Sequence, residues 1–192
     1  MTRFKCLSIF LVGALSLQML CAQVKEEREM RIDLNTFPIL AQSVVKQRIP
    51  VKHIKFYKEI DGDKTSFEAK FNYNGQRYSL EFFENGTIED IEIKIKKRRI
   101  PKRTLETIEV YLNSNFDRFK FKKIQIQYLN SHFSDVISAA FEQKNTTEIR
   151  YEIIAEVKSN HEIELIEFTF SSDGDYQNQR IVKRTSYDHV LY

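Results

Sequence analysis

One succession of elements runs through this chain twice, and that constrains the fold before any residue is given a role. Phe37, Leu40 and Val44 form an apolar helix stripe, which Leu105, Ile108 and Leu112 repeat 68 residues later. Ile54 and Phe56 match Ile124 and Ile126 at a spacing of 70. Phe67, Ala69, Phe71 and Tyr73 match Tyr151, Ile153, Ala155 and Val157 at a spacing of 84. Tyr78, Leu80 and Phe82, before the turn Asn85-Gly86, match Ile166, Phe168 and Phe170, before Asp173-Gly174, at a spacing of 88. The expectation is an α+β fold of two tandem pseudo-repeats, each a helix packed on an antiparallel sheet of three to four strands. The first helix-plus-sheet unit spans 33–99 and the second spans 100–192.

Local signals fill in these units. Asn35 or Thr36 can cap the first helix, Pro38 suits a first turn that needs no amide donor, and Pro50 stops the helix. Asn74-Gly75 asks for a tight hairpin, because both central residues of a type I′ turn take positive φ. Alternation of apolar and charged residues over successive strands predicts one buried face, covered by the helix, and one solvated face. The growth of the spacing from 70 to 84 locates an insertion within 131–148. Phe133, Val136, Ile137 and Phe141 give it a helical stripe of its own. The stretch is either a locally packed connection or a recognition element.

The ends bear on location. Arg3 and Lys5 precede an apolar run over residues 7–20, and cleavage after Ala22 leaves Gln23 at the new terminus. Residues 1–22 therefore read as a signal peptide, with lipid attachment at Cys21 the less favoured alternative. Residues 23–32 read as a flexible charged leader. Both cysteines, Cys6 and Cys21, leave with the signal, so the mature chain must be held by its core. Loss of Arg3 and Lys5 turns 30 basic residues into 28 against 27 acidic ones, a net charge of +1. That near-neutral balance argues against a nucleic-acid partner. No later segment is apolar and long enough to span a bilayer as a helix.

Motifs for chemistry are sparse. The four histidines are scattered and no mature cysteine exists, so no metal site and no cofactor are expected. Asp61-Gly62-Asp63 and Asp173-Gly174-Asp175 lack the glutamate that a calcium loop needs at its twelfth position, where Asn72 and Arg184 stand. No phosphate loop or nucleophile elbow is present, and no catalytic residue is expected. Lys94, Lys96, Lys97, Arg98, Arg99, Lys102 and Arg103 form the densest cationic run, at the junction of the units. It is either an anion-binding patch or a solvated linker. Tyr57 and Phe83, with Tyr111 behind them, lie off the expected core face. The candidate partner-binding set is therefore Phe133, Ile137, Phe141, Tyr57, Phe83, Lys97, Arg98 and Arg99.

The helices before Ile54 and Ile124, the strand from Phe67 to Tyr73 and the Phe-rich strands leading to Asn85-Gly86 and Asp173-Gly174 carry a family resemblance. So does the signal ending Cys21-Ala22-Gln23. The chain resembles exported PepSY-like proteins of Bacteroidetes, related to the β-lactamase-inhibitor-protein fold. The resemblance implies a periplasmic or surface binding module, in some relatives inhibitory toward a hydrolase. The expected function is thus an exported non-catalytic module that recognises a protein or cell-envelope component. The alternative is a periplasmic carrier of a small apolar ligand or lipid.

Overall fold

The computed structural model describes residues 23–183; the signal-peptide segment and Cys21 lie outside them. The chain forms β1 (Gln23–Lys25), β2 (Glu27–Ile32), α1 (Ile39–Arg48), β3 (Ile54–Asp61), β4 (Lys64–Tyr73), β5 (Gln76–Phe83) and β6 (Ile88–Lys94). It continues through α2 (Lys102–Asn115), β7 (Arg118–Leu129), α3 (Val136–Phe141), β8 (Arg150–Ser159), β9 (Glu162–Ser171) and β10 (Tyr176–Val182). All ten strands belong to one sheet, in the order β1-β10-β9-β8-β7-β6-β5-β4-β3-β2.

This overturns the expectation of two helix-on-sheet units. β6 pairs directly with β7, from Asp90 opposite Leu129 to Lys94 opposite Gln125, and Ile95 N–H extends the ladder to Ile124 C=O at 2.9 Å. The supposed boundary is thus the middle of a continuous sheet. One hydrophobic cluster joins Ala41 and Val45 of α1 to Ile108 and Leu112 of α2 and to Val136 and Ile137 of α3. Periodicity marks which face a strand residue takes but not where a sheet ends, because strand pairing is non-local.

The leader is also not a loose tail. β1 pairs in parallel with β10, while β2 pairs antiparallel with β3, so one short segment spans both edges of the sheet. Glu26 alone separates these two strands, and its N–H donates to Asp61 Oδ1 at 2.9 Å. The sheet thereby curls into a nearly closed barrel, which removes most of its free edge.

Two faces follow from that curl. The outer, apolar face carries the helices: Phe37, just before α1, sets its ring 4.9 Å from Phe56 and 5.8 Å from Phe82. Tyr111 of α2 lies against Phe170 at 5.7 Å and stacks on Tyr176 at 4.5 Å. The N-cap positions of both long helices are prolines, Pro38 and Pro101, so neither Asn35 nor Thr36 supplies a side-chain cap. Gly86 and Gly174 seat the turns after β5 and β9 against the first turns of α1 and α2. A Cβ at Gly174 would lie 2.5 Å from Thr104 O, and its φ of +94° is the left-handed region that glycine occupies freely. Asn74-Gly75 takes φ of 48° and 75°, as a type I′ hairpin requires. The inner face is polar, and it positions the site.

Candidate functional site: a charge-graded barrel interior

Inward-facing residues run from acidic to basic along each strand of the first half. β2 presents Glu27, Glu29 and then Arg31; β4 presents Glu68 and Lys70; β5, read toward its start, presents Glu81, Ser79 and Arg77; β6 presents Asp90, Glu92 and Lys94. Pairing registers place like charges opposite one another. Glu68 faces Glu81, which faces Asp90, while Lys55 faces Lys70 and Arg77 faces Lys94. Like charges at such cross-strand positions repel. The interior is thus divided into an acidic chamber and a cationic mouth.

The acidic chamber encloses about 180 Å³ and is lined by ten carboxylates against five cations. Part of this charge is compensated. Glu167, 2% exposed, accepts from Lys25 Nζ at 2.6 Å and from Arg180 Nε at 3.0 Å, and Arg180 Nη1 reaches Asp61 Oδ2 at 3.1 Å. These contacts tie β1, β10 and β3 together where the barrel closes. Burial alone would push the Glu167 carboxyl up, but the charges of Lys25 and Arg180 overcome it and draw it down to about 2. Lys70 Nζ bridges Glu29 Oε1 at 2.5 Å and Glu68 Oε2 at 2.7 Å, and lies 5.0 Å from the Tyr57 ring centre. Ser79 Oγ also donates to Glu68.

The remaining carboxyls resist ionisation. Burial, then the charge of Glu68 and a hydrogen bond shared with it, holds Glu59 well above the usual range. Burial and neighbouring carboxylates do the same to Glu81, Asp90 and Glu152, and raise Glu92 to about 7. Carboxylate oxygens of Glu29, Glu59 and Glu68 lie within 4.8 Å of one another, close enough to hold a metal ion, but the Lys70 ammonium already supplies the positive charge there.

The cationic mouth opens as a cavity of about 640 Å³ lined by seven cations and two carboxylates. Those two carboxylates, Glu29 and Glu68, are the pair that Lys70 bridges. Arg31, Lys52, Lys55 and Arg77 enter no ion pair among the described residues and point at the same space, with His53 and Tyr57 between them. Burial, reinforced by the charges of Arg77 and Lys123, pushes the Lys94 ammonium down. The four cations without ion pairs, Arg31, Lys52, Lys55 and Arg77, favour a bound anion.

Of the candidate partner-binding set, Tyr57 alone lines this mouth, joined there by Lys94 of the cationic run. Ile137 is buried, Phe133 packs 5.6 Å from the Tyr128 ring, and Phe141 packs 4.8 Å from Tyr73 and 5.5 Å from Tyr78. The 131–148 stretch is therefore packed into the core at these positions, with α3 against β6 and β7. Phe83 is 43% exposed at the far side of β5. Lys97 pairs with Glu109 and sits over the Phe121 ring, Arg99 Nη2 donates to Gln143 Oε1 at 2.9 Å, and Arg98 is exposed. The residues that sequence reasoning missed are Arg31, Lys52, Arg77 and Lys123 in the mouth, and Glu59, Glu68, Glu81, Asp90 and Glu152 in the chamber. Their signal was present as acids and bases in ordered succession on the polar side of each strand.

The fold has solved counterparts in Bacteroides. A DUF2874 family protein from Bacteroides ovatus superposes with a TM-score of 0.51 at 12% identity, over 76% of this chain and 88% of that one. A Bacteroides eggerthii protein, named for a provisional periplasmic location, gives 0.51 at 13% over the same shares. A BLIP-like protein from Bacteroides fragilis gives 0.49 at 14%, over 76% and 86%. The first two share the architecture at an identity that carries the fold alone. No family model matches the sequence, and no curated protein matches it. No described helix is long and apolar enough to cross a membrane.

Proposed function

We propose that this chain is an exported, non-catalytic binding module that holds the anionic group of a cell-envelope component, phosphate or carboxylate, in the cationic mouth of its barrel. The observation that carries this reading is the convergence of Arg31, Lys52, Lys55 and Arg77, which enter no ion pair among the described residues, on one cavity of about 640 Å³. That size lies within the usual range for small-ligand sites. Export rests on the signal-like segment at residues 1–22, and it agrees with the periplasmic name of the Bacteroides eggerthii relative. An apolar carrier is disfavoured, since the helices pack on the apolar face and the large cavity is lined by charge.

Catalysis by the inward carboxyls is the competing reading of the chamber. Burial and the charge of Glu68 hold the Glu59 carboxyl well above the usual range, but Ser79 and Lys70 already hold Glu68, and the chamber encloses only about 180 Å³. A protein partner is a second binding reading, favoured by the exposure of Ile39 (79%), Leu40 (57%) and Phe83 (43%) around the Gly86 turn.

Titration calorimetry of the mature chain with pyrophosphate, and separately with zwitterionic detergent micelles, tests the proposal. Saturable heat with pyrophosphate that vanishes in Arg77→Ala and weakens with added salt supports it. Heat with the micelles alone would favour the alternative, an apolar carrier, instead.

A further inference from the structure

Lys70 stands where the acidic chamber meets the cationic mouth. It lines both, as do Glu29, Glu68 and Lys123. Its Nζ bridges Glu29 Oε1 at 2.5 Å and Glu68 Oε2 at 2.7 Å, yet 24% of its side chain stays exposed. Directly opposite it stand Lys55 on β3 and Ser79 on β5. Two ammonium groups so placed repel, and the two carboxylates hold Lys70 against that repulsion. An anion seated between Lys55 and Lys70 serves both, and it competes with Glu29 and Glu68 for the Lys70 charge.

The acids behind Lys70 depend on that charge. Carboxylate oxygens of Glu29, Glu59 and Glu68 lie within 4.8 Å of one another. Burial pushes the Glu29 carboxyl up, and the charge of Lys70 holds it back. Burial also works against the Glu68 charge, but hydrogen bonding with Glu59 and then the charge of Lys70 draw that carboxyl down. The other charged groups lining these compartments near the trio are Glu27 and Arg31 on β2, Lys55 and Asp61 on β3, and Arg77 and Glu81 on β5. The three cations among them line the mouth, where an anion engages them as well. Moving the Lys70 charge away therefore leaves three clustered acids that a proton stabilises.

We propose that Lys70 makes anion binding proton-linked: an anion in the mouth draws its ammonium off Glu29 and Glu68, and the group of Glu29, Glu59 and Glu68 takes up a proton from solvent in its place. The coupling rests on the mouth being an anion site. Binding that takes up a proton weakens as pH rises, by at most about tenfold per pH unit for each proton.

Calorimetry of the mature chain with trimetaphosphate, whose charge is constant over this range, tests the coupling. Titrations at pH 7 in bis-Tris and in Tris, neither of them an anion, differ in heat by the protons exchanged with buffer. The expected result is uptake of about half to one proton, with affinity falling about tenfold or more from pH 6 to pH 8. His53→Gln, which removes the imidazole of the mouth, keeps the uptake. Lys70→Gln binds more weakly and takes up no proton. A double variant, Glu29→Gln with Glu68→Gln, also takes up none but binds more tightly than the parent, because nothing competes for Lys70. Circular dichroism confirms the fold of each. No binding by the parent overturns the mouth as an anion site and the coupling with it, whereas binding without proton uptake overturns the coupling alone. Uptake that is lost in His53→Gln, or kept in the double variant, also overturns the coupling.

Discussion

Replacing Glu167 by glutamine breaks the contact that closes the barrel. The carboxylate is 2% exposed and accepts from Lys25 at 2.6 Å and from Arg180 at 3.0 Å, so the variant leaves two cations facing a neutral amide. Two routes give the magnitude. A carboxyl drawn from its ordinary 4.5 to about 2 is favoured in its charged folded form by about 3 kcal/mol. Removing one member of a buried ion pair costs about 3–5 kcal/mol. For a chain of this length, about 3 kcal/mol lowers the melting temperature by roughly 6–12 °C. Because β1 is held to the barrel through Lys25, its amides should also exchange faster, before those of β8 and β9. Urea unfolding and hydrogen exchange measure both effects. A variant that melts within about 2 °C of the parent, with β1 still protected, would refute the idea that this cluster closes the barrel.

Three further outcomes follow from the same interior and core. Gly174→Ala should cost about 2 kcal/mol or more in urea unfolding, since its Cβ would meet Thr104 O at 2.5 Å in a left-handed conformation. Gly62→Ala, with open space and φ of +59°, should cost only about 1 kcal/mol; equal losses would refute the packing argument. Melting should be highest near pH 4.5 and fall toward pH 8. Glu92 has its folded value raised from 4.5 to about 7, so its contribution is complete below the unfolded value and is lost as pH rises, about 3 kcal/mol for this group alone. Glu167 works in the opposite sense, losing its contribution as pH falls from 4.5 toward 2, and a melting temperature rising steadily from pH 5 to 8 would contradict the assignment. Ile137→Ala should lose about 2–5 kcal/mol in urea unfolding, as a core deletion, whereas a folded, equally stable variant would restore the 131–148 stretch as a docking element.

Much of the local structure was legible in the sequence. The stripe Leu105, Ile108 and Leu112 lies in α2, and the Asn74-Gly75 hairpin and the apolar alternation of β4 and β5 stand where the pattern put them. The global arrangement was not. Joining β6 to β7 and bringing Gln23–Lys25 to β10 are long-range pairings that no periodic pattern encodes. The polar faces were misread for a related reason. Glu68, Asp90 and Glu152 alternate with apolar residues as solvent-facing residues do, and curling of the sheet turns that side inward. A surface strand and the wall of a polar barrel share one binary pattern. What distinguishes them here is the succession of acids and then bases at inward positions, such as Glu27, Glu29, Arg31 and Asp90, Glu92, Lys94.

Mapping pyrophosphate onto the mature chain by amide chemical shifts tests the central claim most directly. Saturable shifts are expected at Arg31, Lys52, His53, Tyr57, Arg77, Lys94 and Lys123, which line one cavity though they are spread over five strands and a loop. Shifts confined to Lys97, Arg98 and Arg99, or no saturable shifts at all, would contradict it.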